Sequence, residues 1–105
     1  MVKEGRHGKL CALIRAENDV LIPARSEVVV QGRAERTMKL TQAPLAVLEP
    51  SHRAHELRKQ GVNVGSALIQ AQLERVPVPL VNVSDQEYLI RKGTTLAVMR
   101  PTTNV

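Results

Sequence analysis

The sequence predicts an all-β fold, a small barrel or sandwich of short strands, and three observations predict it. The first is an internal echo. Residues 13–30 match residues 81–98 without a gap, at a constant offset of 68 (81 minus 13). Apolar residues meet apolar residues at Val20/Tyr88, Leu21/Leu89, Ile22/Ile90, Val28/Leu96 and Val30/Val98, and a hydroxyl meets a hydroxyl at Ser26/Thr94. Each copy reads as apolar run, turn, short strand, turn, strand, so two copies at opposite ends of a short chain predict one closed β unit with an internal pseudo-repeat. The second observation is composition. Hydrophobic residues make up 43% but aromatic ones only 1%, with Tyr88 alone. The core must therefore be aliphatic, and β-branched side chains suit a pleated surface. The third is spacing: short apolar runs recur between turn residues about every 8 to 12 positions, the rhythm of sandwiches and barrels.

The elements follow in order. Residues 9–15 alternate as a first strand, and Ala16, Glu17, Asn18 and Asp19 form a turn by composition. Val20, Leu21 and Ile22 make a short strand stopped by Pro23. Residues 27–31 are the most strand-like segment, with strand character extending toward Ala34. Residues 45–49 form another strand, ended by Pro50. Residues 51–60 are the one candidate helix, with Ser51 as N-cap and Gly61 as stop, but only Ala54 and Leu57 to bury; a loop or single helical turn fits equally. Short strands follow at 62–64 and 66–71. The run from Val76 to Val83 alternates valine with Pro77 and Pro79, and since proline cannot donate to a ladder, this strand should enter the sheet from an edge. Strands at 88–90 and 95–99 close the fold. The expected organisation is a disordered tail at 1–8, one β domain at 9–100 and a tail at 101–105.

At 105 residues the chain fits a single domain. Its one cysteine, Cys11, excludes an intramolecular disulfide framework and sits in an apolar run, as a small buried hydrophobe would. No apolar stretch approaches the ~18 residues of a membrane span. The polar start of the chain is not that of a signal peptide, so an intracellular, reducing setting is expected. Net charge is +5. Basic residues are scattered among acids, which reads as a solvated surface.

Tests for specific chemistry return little. Nucleophilic catalysis needs an activated serine or cysteine with a base. There is no Gly-x-Ser-x-Gly elbow, and Cys11 has no basic neighbour written beside it. His52 and His55 could share a helical face, but zinc needs a third and usually a fourth ligand, so no metal or cofactor is expected. Gly61 to Ser66 carries two glycines without the lysine of a phosphate loop. Asp19, Asp85 and Glu87 sit in turns, where such residues serve backbone geometry. The densest basic cluster is Arg53, Arg58 and Lys59, the candidate nucleic-acid contact. With Tyr88 as the lone aromatic, base stacking is not expected and phosphate contact would be nonspecific.

Three stretches in a fixed order carry a family resemblance: Val20 to Val30, with Ile22, Pro23, Ser26, Glu27 and Val30; Val47, Leu48, Glu49 and Pro50; and Arg75 to Asp85 followed by Leu89, Ile90, Arg91, Lys92, Gly93 and Thr94. Together they resemble the segment between aspartic protease and reverse transcriptase in Pol polyproteins of gypsy-type LTR retrotransposons, over residues 9–103. Asn82-Val83-Ser84 and residues 90–97 also resemble, more distantly, late strands of trimeric dUTPases. That likeness implies a dUTPase-like, β-clip-like architecture. It carries over no catalytic residue, because the mid-chain Arg-Ser-Gly motif and the hairpin Asp and Tyr are missing. The resemblance implies a non-catalytic structural or assembly domain linking protease and reverse transcriptase, in cytoplasm, virus-like particle or nucleus, with those two enzymes as partners and no membrane. Two rivals stand beside it: a nucleic-acid-binding accessory to reverse transcription, using one contiguous basic face, and a divergent dUTPase-like nucleotide hydrolase. A homo-oligomer could form if a strand edge such as Val28 to Val30 paired with a second copy.

Overall fold

The computed structural model describes residues 12–36, 45–71 and 73–101. Cys11, the expected tail at 1–8 and all of the expected tail at 101–105 except Pro101, which ends the last strand, lie outside the described residues. The strands are β1 (Ala12–Ala16), β2 (Val20–Ile22), β3 (Ser26–Arg36), β4 (Leu45–Pro50), β5 (Val62–Val64), β6 (Ala67–Gln70), β7 (Arg75–Asn82), β8 (Tyr88–Ile90) and β9 (Thr95–Pro101). Between β4 and β5 lie a 3-10 turn (His52–Ala54) and one short helix, α1 (His55–Lys59).

Seven strands form one antiparallel sheet in the order β5-β7-β3-β1-β9-β4-β6, curled into a half-barrel, while β2 and β8 form a separate ribbon. Alternation puts Ala12, Ile14 and Ala16 of β1 inside, with Val76, Val78 and Leu80 of β7 and Leu48 of β4. Met99 and Leu96 of β9 and Ile22 and Ile90 of the ribbon complete the aliphatic core. Gly32 lies where β3 crosses Ile14: a Cβ there would collide with the Ile14 Cγ2 methyl and meet the Val78 Cγ2 at 3.4 Å. The missing side chain is what allows β1 and β3 to share that layer.

The sequence echo has a structural counterpart. The central strands of the two copies pair with each other, β2 on β8, with Val20 opposite Ile90, Leu21 opposite Leu89 and Ile22 opposite Tyr88. Leu21 and Leu89 are equivalent positions of the echo, so the ribbon is centred on a pseudo-twofold axis. The same shift carries β1 onto the end of β7 and the start of β3 onto β9. The pairings β1 with β9 and β3 with β7 therefore correspond in strand order, though not in register: Ile14 is opposite Ala97, whereas its equivalent Asn82 is opposite Ser26. Even the turns correspond. Arg25 N donates to Ser84 O at 3.1 Å, and its equivalent Gly93 N donates to Ala16 O at 2.8 Å. Both residues sit at positive φ, 50° and 90°. The symmetry breaks where β1 also pairs with β3, whereas β7 and β9 turn to β5 and β4.

One expectation about edges is corrected in part. β7 has β3 on one side along its whole length and β5 on the other only at Leu80 to Asn82. It tolerates two prolines because Pro79 directs its backbone toward the β5 side, where its carbonyl accepts from Gly65 N at 2.8 Å. By alternation Pro77 faces the same side, and β5 pairs only with Leu80 to Asn82, so no ladder bond is lost. Val28 to Val30 pair with β7 on one side only, because β1 pairs with β3 at Gly32 to Arg36, so among the described residues this stretch keeps a free side; β3 itself extends to Arg36, beyond the limit expected from its polar second half. Register against β1 and β7 overrides the weak strand propensity of Gly32 to Arg36.

The candidate helix resolves into a 3-10 turn and a five-residue helix. Pro50 ends β4, and Ser51 Oγ accepts from Arg53 N at 3.0 Å, satisfying an otherwise orphan donor. Ala54 and Leu57 turn inward, and Gly61, at φ 89°, ends the helix in the left-handed region.

Candidate functional site

The predicted basic cluster is on the surface. Arg53 lies in the 3-10 turn and Arg58 and Lys59 in α1, all exposed. Lys59 Nζ stands 3.9 Å from Glu56 Oε2. Arg58 borders a small cavity of about 120 Å³ under the helical segment, with Ser51, Ala54 and Val62. His52 and His55 are exposed on the same segment, and among the described residues no three His, Cys, Asp or Glu side chains form a group able to hold a metal ion. Among those residues, too, no helix is long and apolar enough to cross a membrane.

The larger charged constellation is elsewhere, on the outer face of the sheet. Arg15 of β1 is directly opposite Arg33 of β3, and Arg33 is directly opposite Arg75 of β7. Thr95 of β9 continues the row beyond Arg15. Three arginines thus stand side by side across three neighbouring strands. Like charges directly opposite destabilise a sheet, by roughly 0.2–1 kcal/mol per pair. The fold offsets this with two carboxylates. Glu17, in the turn after β1, places Oε2 3.0 Å from Arg33 Nη2 and 3.3 Å from Arg75 Nε. Its Oε1 accepts from Gln31 Nε2 at 2.7 Å. Glu35 Oε1 accepts from Arg15 Nε at 2.6 Å, and Arg15 Nη1 also donates to Thr95 Oγ1 at 3.0 Å and to Gly93 O at 3.3 Å.

Glu17 is the keystone. The Gln31 amide, joined by the Arg33 and Arg75 guanidiniums, holds its carboxyl below the ordinary glutamate value of 4.5 against an opposing desolvation. Its side chain is 16% exposed, whereas those of Arg33 and Arg75 are 52% and 62% exposed. The carboxylate lies beneath the guanidiniums and leaves most of their donors facing water.

Beside the row opens a cleft of about 520 Å³, bordered by Arg15, Glu17, Arg33, Glu35, Lys92 and Gly93. The turn bearing Lys92 is docked there by Lys92 N donating to Asp19 Oδ1 at 2.7 Å and by Ala16 N donating to Thr94 O at 2.9 Å. Sequence reading missed this constellation. Arg15, Arg33 and Arg75 are far apart in the chain, and only the cross-strand register aligns them.

The equivalent end of the second repeat is centred on a buried amide, with one mostly exposed ion pair, Arg25 Nε to Asp85 Oδ1 at 3.4 Å, beside it. Asn82 is fully buried. Its Nδ2 donates to Pro23 O at 3.0 Å, Gln86 O at 2.9 Å and Ile22 O at 3.3 Å, while Oδ1 accepts from Ser84 N and Ser84 Oγ, both at 2.9 Å. One amide thereby ties the end of β2 to the turn after β7. The cue in the sequence is an Asn inside an apolar run, two residues before a Ser, the pattern of an Asx turn. The chain matches no protein-family model and no curated protein.

Proposed function

We propose that this chain is a non-catalytic structural domain of a gypsy-type retrotransposon Pol polyprotein, working within the cell as the spacer between protease and reverse transcriptase. The observation that carries the reading is the pairing of β1, the first described strand, with β9, the last. Ala12, which opens β1, is paired with Met99 of β9, two residues before β9 ends at Pro101. Neighbouring antiparallel strands put such residues about 5 Å apart. A domain whose chain enters and leaves side by side can be inserted between two enzymes without forcing them apart, and unfolding it would lengthen the tether. The family resemblance over residues 9–103 supplies the identity of the flanking enzymes, and its dUTPase-like side supports the β-clip-like description of the fold.

Solution mass by light scattering, across a concentration series, tests the role. A spacer runs as a monomer throughout. A defined dimer or trimer would replace the spacer with an assembly role. In the longer polyprotein, exchanging residues 12–101 for a short Gly/Ser linker should leave both flanking enzymes active; loss of reverse transcription on that exchange would show that the domain does more than hold a distance.

A further inference from the structure

We propose that the row of Arg15, Arg33 and Arg75, with Lys92 at its cleft, is a binding site for a phosphoanion, either a compact free phosphate species or the backbone of a single-stranded nucleic acid. The proposal does not depend on the spacer reading, and it places the contact on the sheet rather than on Arg53, Arg58 and Lys59.

The geometry argues for it in three steps. Four cations, Arg15, Arg33, Arg75 and Lys92, face three carboxylates, Glu17, Glu35 and Asp19, the last turned to the backbone N–H of Lys92, which leaves one positive charge in excess. The Lys92 ammonium has no acid partner among the described residues.

Second, the acids orient the arginines without covering them. Glu17 engages one nitrogen of Arg33 and one of Arg75 from beneath, so each guanidinium keeps outward donors in the planar fork that suits phosphate oxygens. Held guanidiniums lose less freedom when a ligand arrives. Third, the cleft of about 520 Å³ admits a phosphoryl group, with Arg15 and Arg33 on one side and Lys92 and Gly93 on another. Glu35 is the internal competitor: its side chain is 58% exposed and occupies Arg15 Nε, a place an incoming phosphate oxygen could take.

The site recognises charge and shape, not base identity. Tyr88, the only aromatic, is half-buried in the β2–β8 ribbon. Neutralising about three phosphates on a single strand predicts a salt slope near −2, so affinity should fall on the order of tenfold between about 50 and 200 mM salt.

The test is an amide-resolved NMR titration of the full chain with inorganic pyrophosphate and, separately, with a thymidine dodecamer. Shifts should concentrate at Arg15, Glu17, Arg33, Lys92 and Gly93. The double variant R33Q/K92Q should weaken binding by about tenfold and flatten the salt slope, whereas R53Q/R58Q/K59Q should leave both unchanged. E35Q should tighten binding, a gain that a merely structural role would not produce. Pyrophosphate binding alone assigns a compact phosphoanion, and dodecamer binding alone assigns a nucleic-acid backbone; either supports the site. Shifts confined to α1, no shifts with either probe, unchanged or weaker binding by E35Q, or equal affinity for a polyglutamate peptide would overturn it.

Discussion

The two ends of the pseudo-repeat solve one closure problem with different chemistry. At one end the turn after β1 meets the turn after β8, and the contact is ionic: Asp19 caps Lys92 N, while Glu17 gathers Gln31, Arg33 and Arg75. At the other the turn after β7 meets the turn after β2, and a buried neutral amide does the work. Asn82 occupies the position equivalent to Ile14, and both are fully buried. Where the first copy has a methyl-bearing side chain, the second has a donor and an acceptor, both satisfied. The difference teaches that the repeated backbone unit does not dictate how it is locked. The amide end should resist salt and acid, and the ionic end should respond to both.

The comparison can be broken most severely at Asn82. Asn82→Leu removes the donor to Ile22 O and Pro23 O and the acceptor of the Ser84 N–H at a fully buried position, an expected loss of about 3 kcal/mol in urea unfolding, little changed by salt. Asn82→Asp should be no better, because a carboxylate would replace the donor facing those carbonyls. Next comes Gly32→Ala, whose methyl must displace Ile14 and should cost about 2 kcal/mol by the same measurement.

Smaller effects sharpen the contrast between the equivalent turns. Gly93→Ala has open space around the new methyl, so its expected cost of about 1 kcal/mol is the left-handed backbone alone. Arg25→Gly, at the equivalent position, should change stability by less than about 0.5 kcal/mol, since relief of backbone strain offsets the entropy gained by the unfolded chain. A large loss in Arg25→Gly would instead make its ion pair with Asp85 important, although both side chains are mostly exposed.

The smallest effect is the pH response of Glu17. Its carboxyl is lowered in the folded state, so its contribution is present above the ordinary value of 4.5 and is lost as pH falls through the lowered folded value. Unfolding midpoints followed from neutral pH down to about pH 3 should therefore decline less steeply in Glu17→Gln than in the parent. An unchanged slope would remove Glu17 from the acid response of the ionic end.

Strand existence was legible in the residues, and so was the echo. Turn residues such as Pro23, Asn18 and Gly93 bound apolar runs too short for helices, and most strands form within a residue or two of their expected limits. Pairing was not legible. The prolines of β7 pointed to an edge because composition reports a missing donor, not which side of the strand that donor would have faced. The helical segment carried the densest basic run and drew attention for that reason. The arginine row escaped because its members are scattered along the chain.

The sequence by itself determined an all-β chain with an aliphatic core and a duplicated unit, because period-two alternation and turn chemistry are local properties that each segment carries wherever it ends up. Only the tertiary structure decided that the two copies pair with each other, that β7 pairs with β3 from Arg75 to Asn82, and that Arg15, Arg33 and Arg75 stand in one row above Glu17. Those depend on cross-strand register, and register is set by the joint packing of Gly32, Ile14, Val78 and Asn82, a condition that no single stretch of sequence contains.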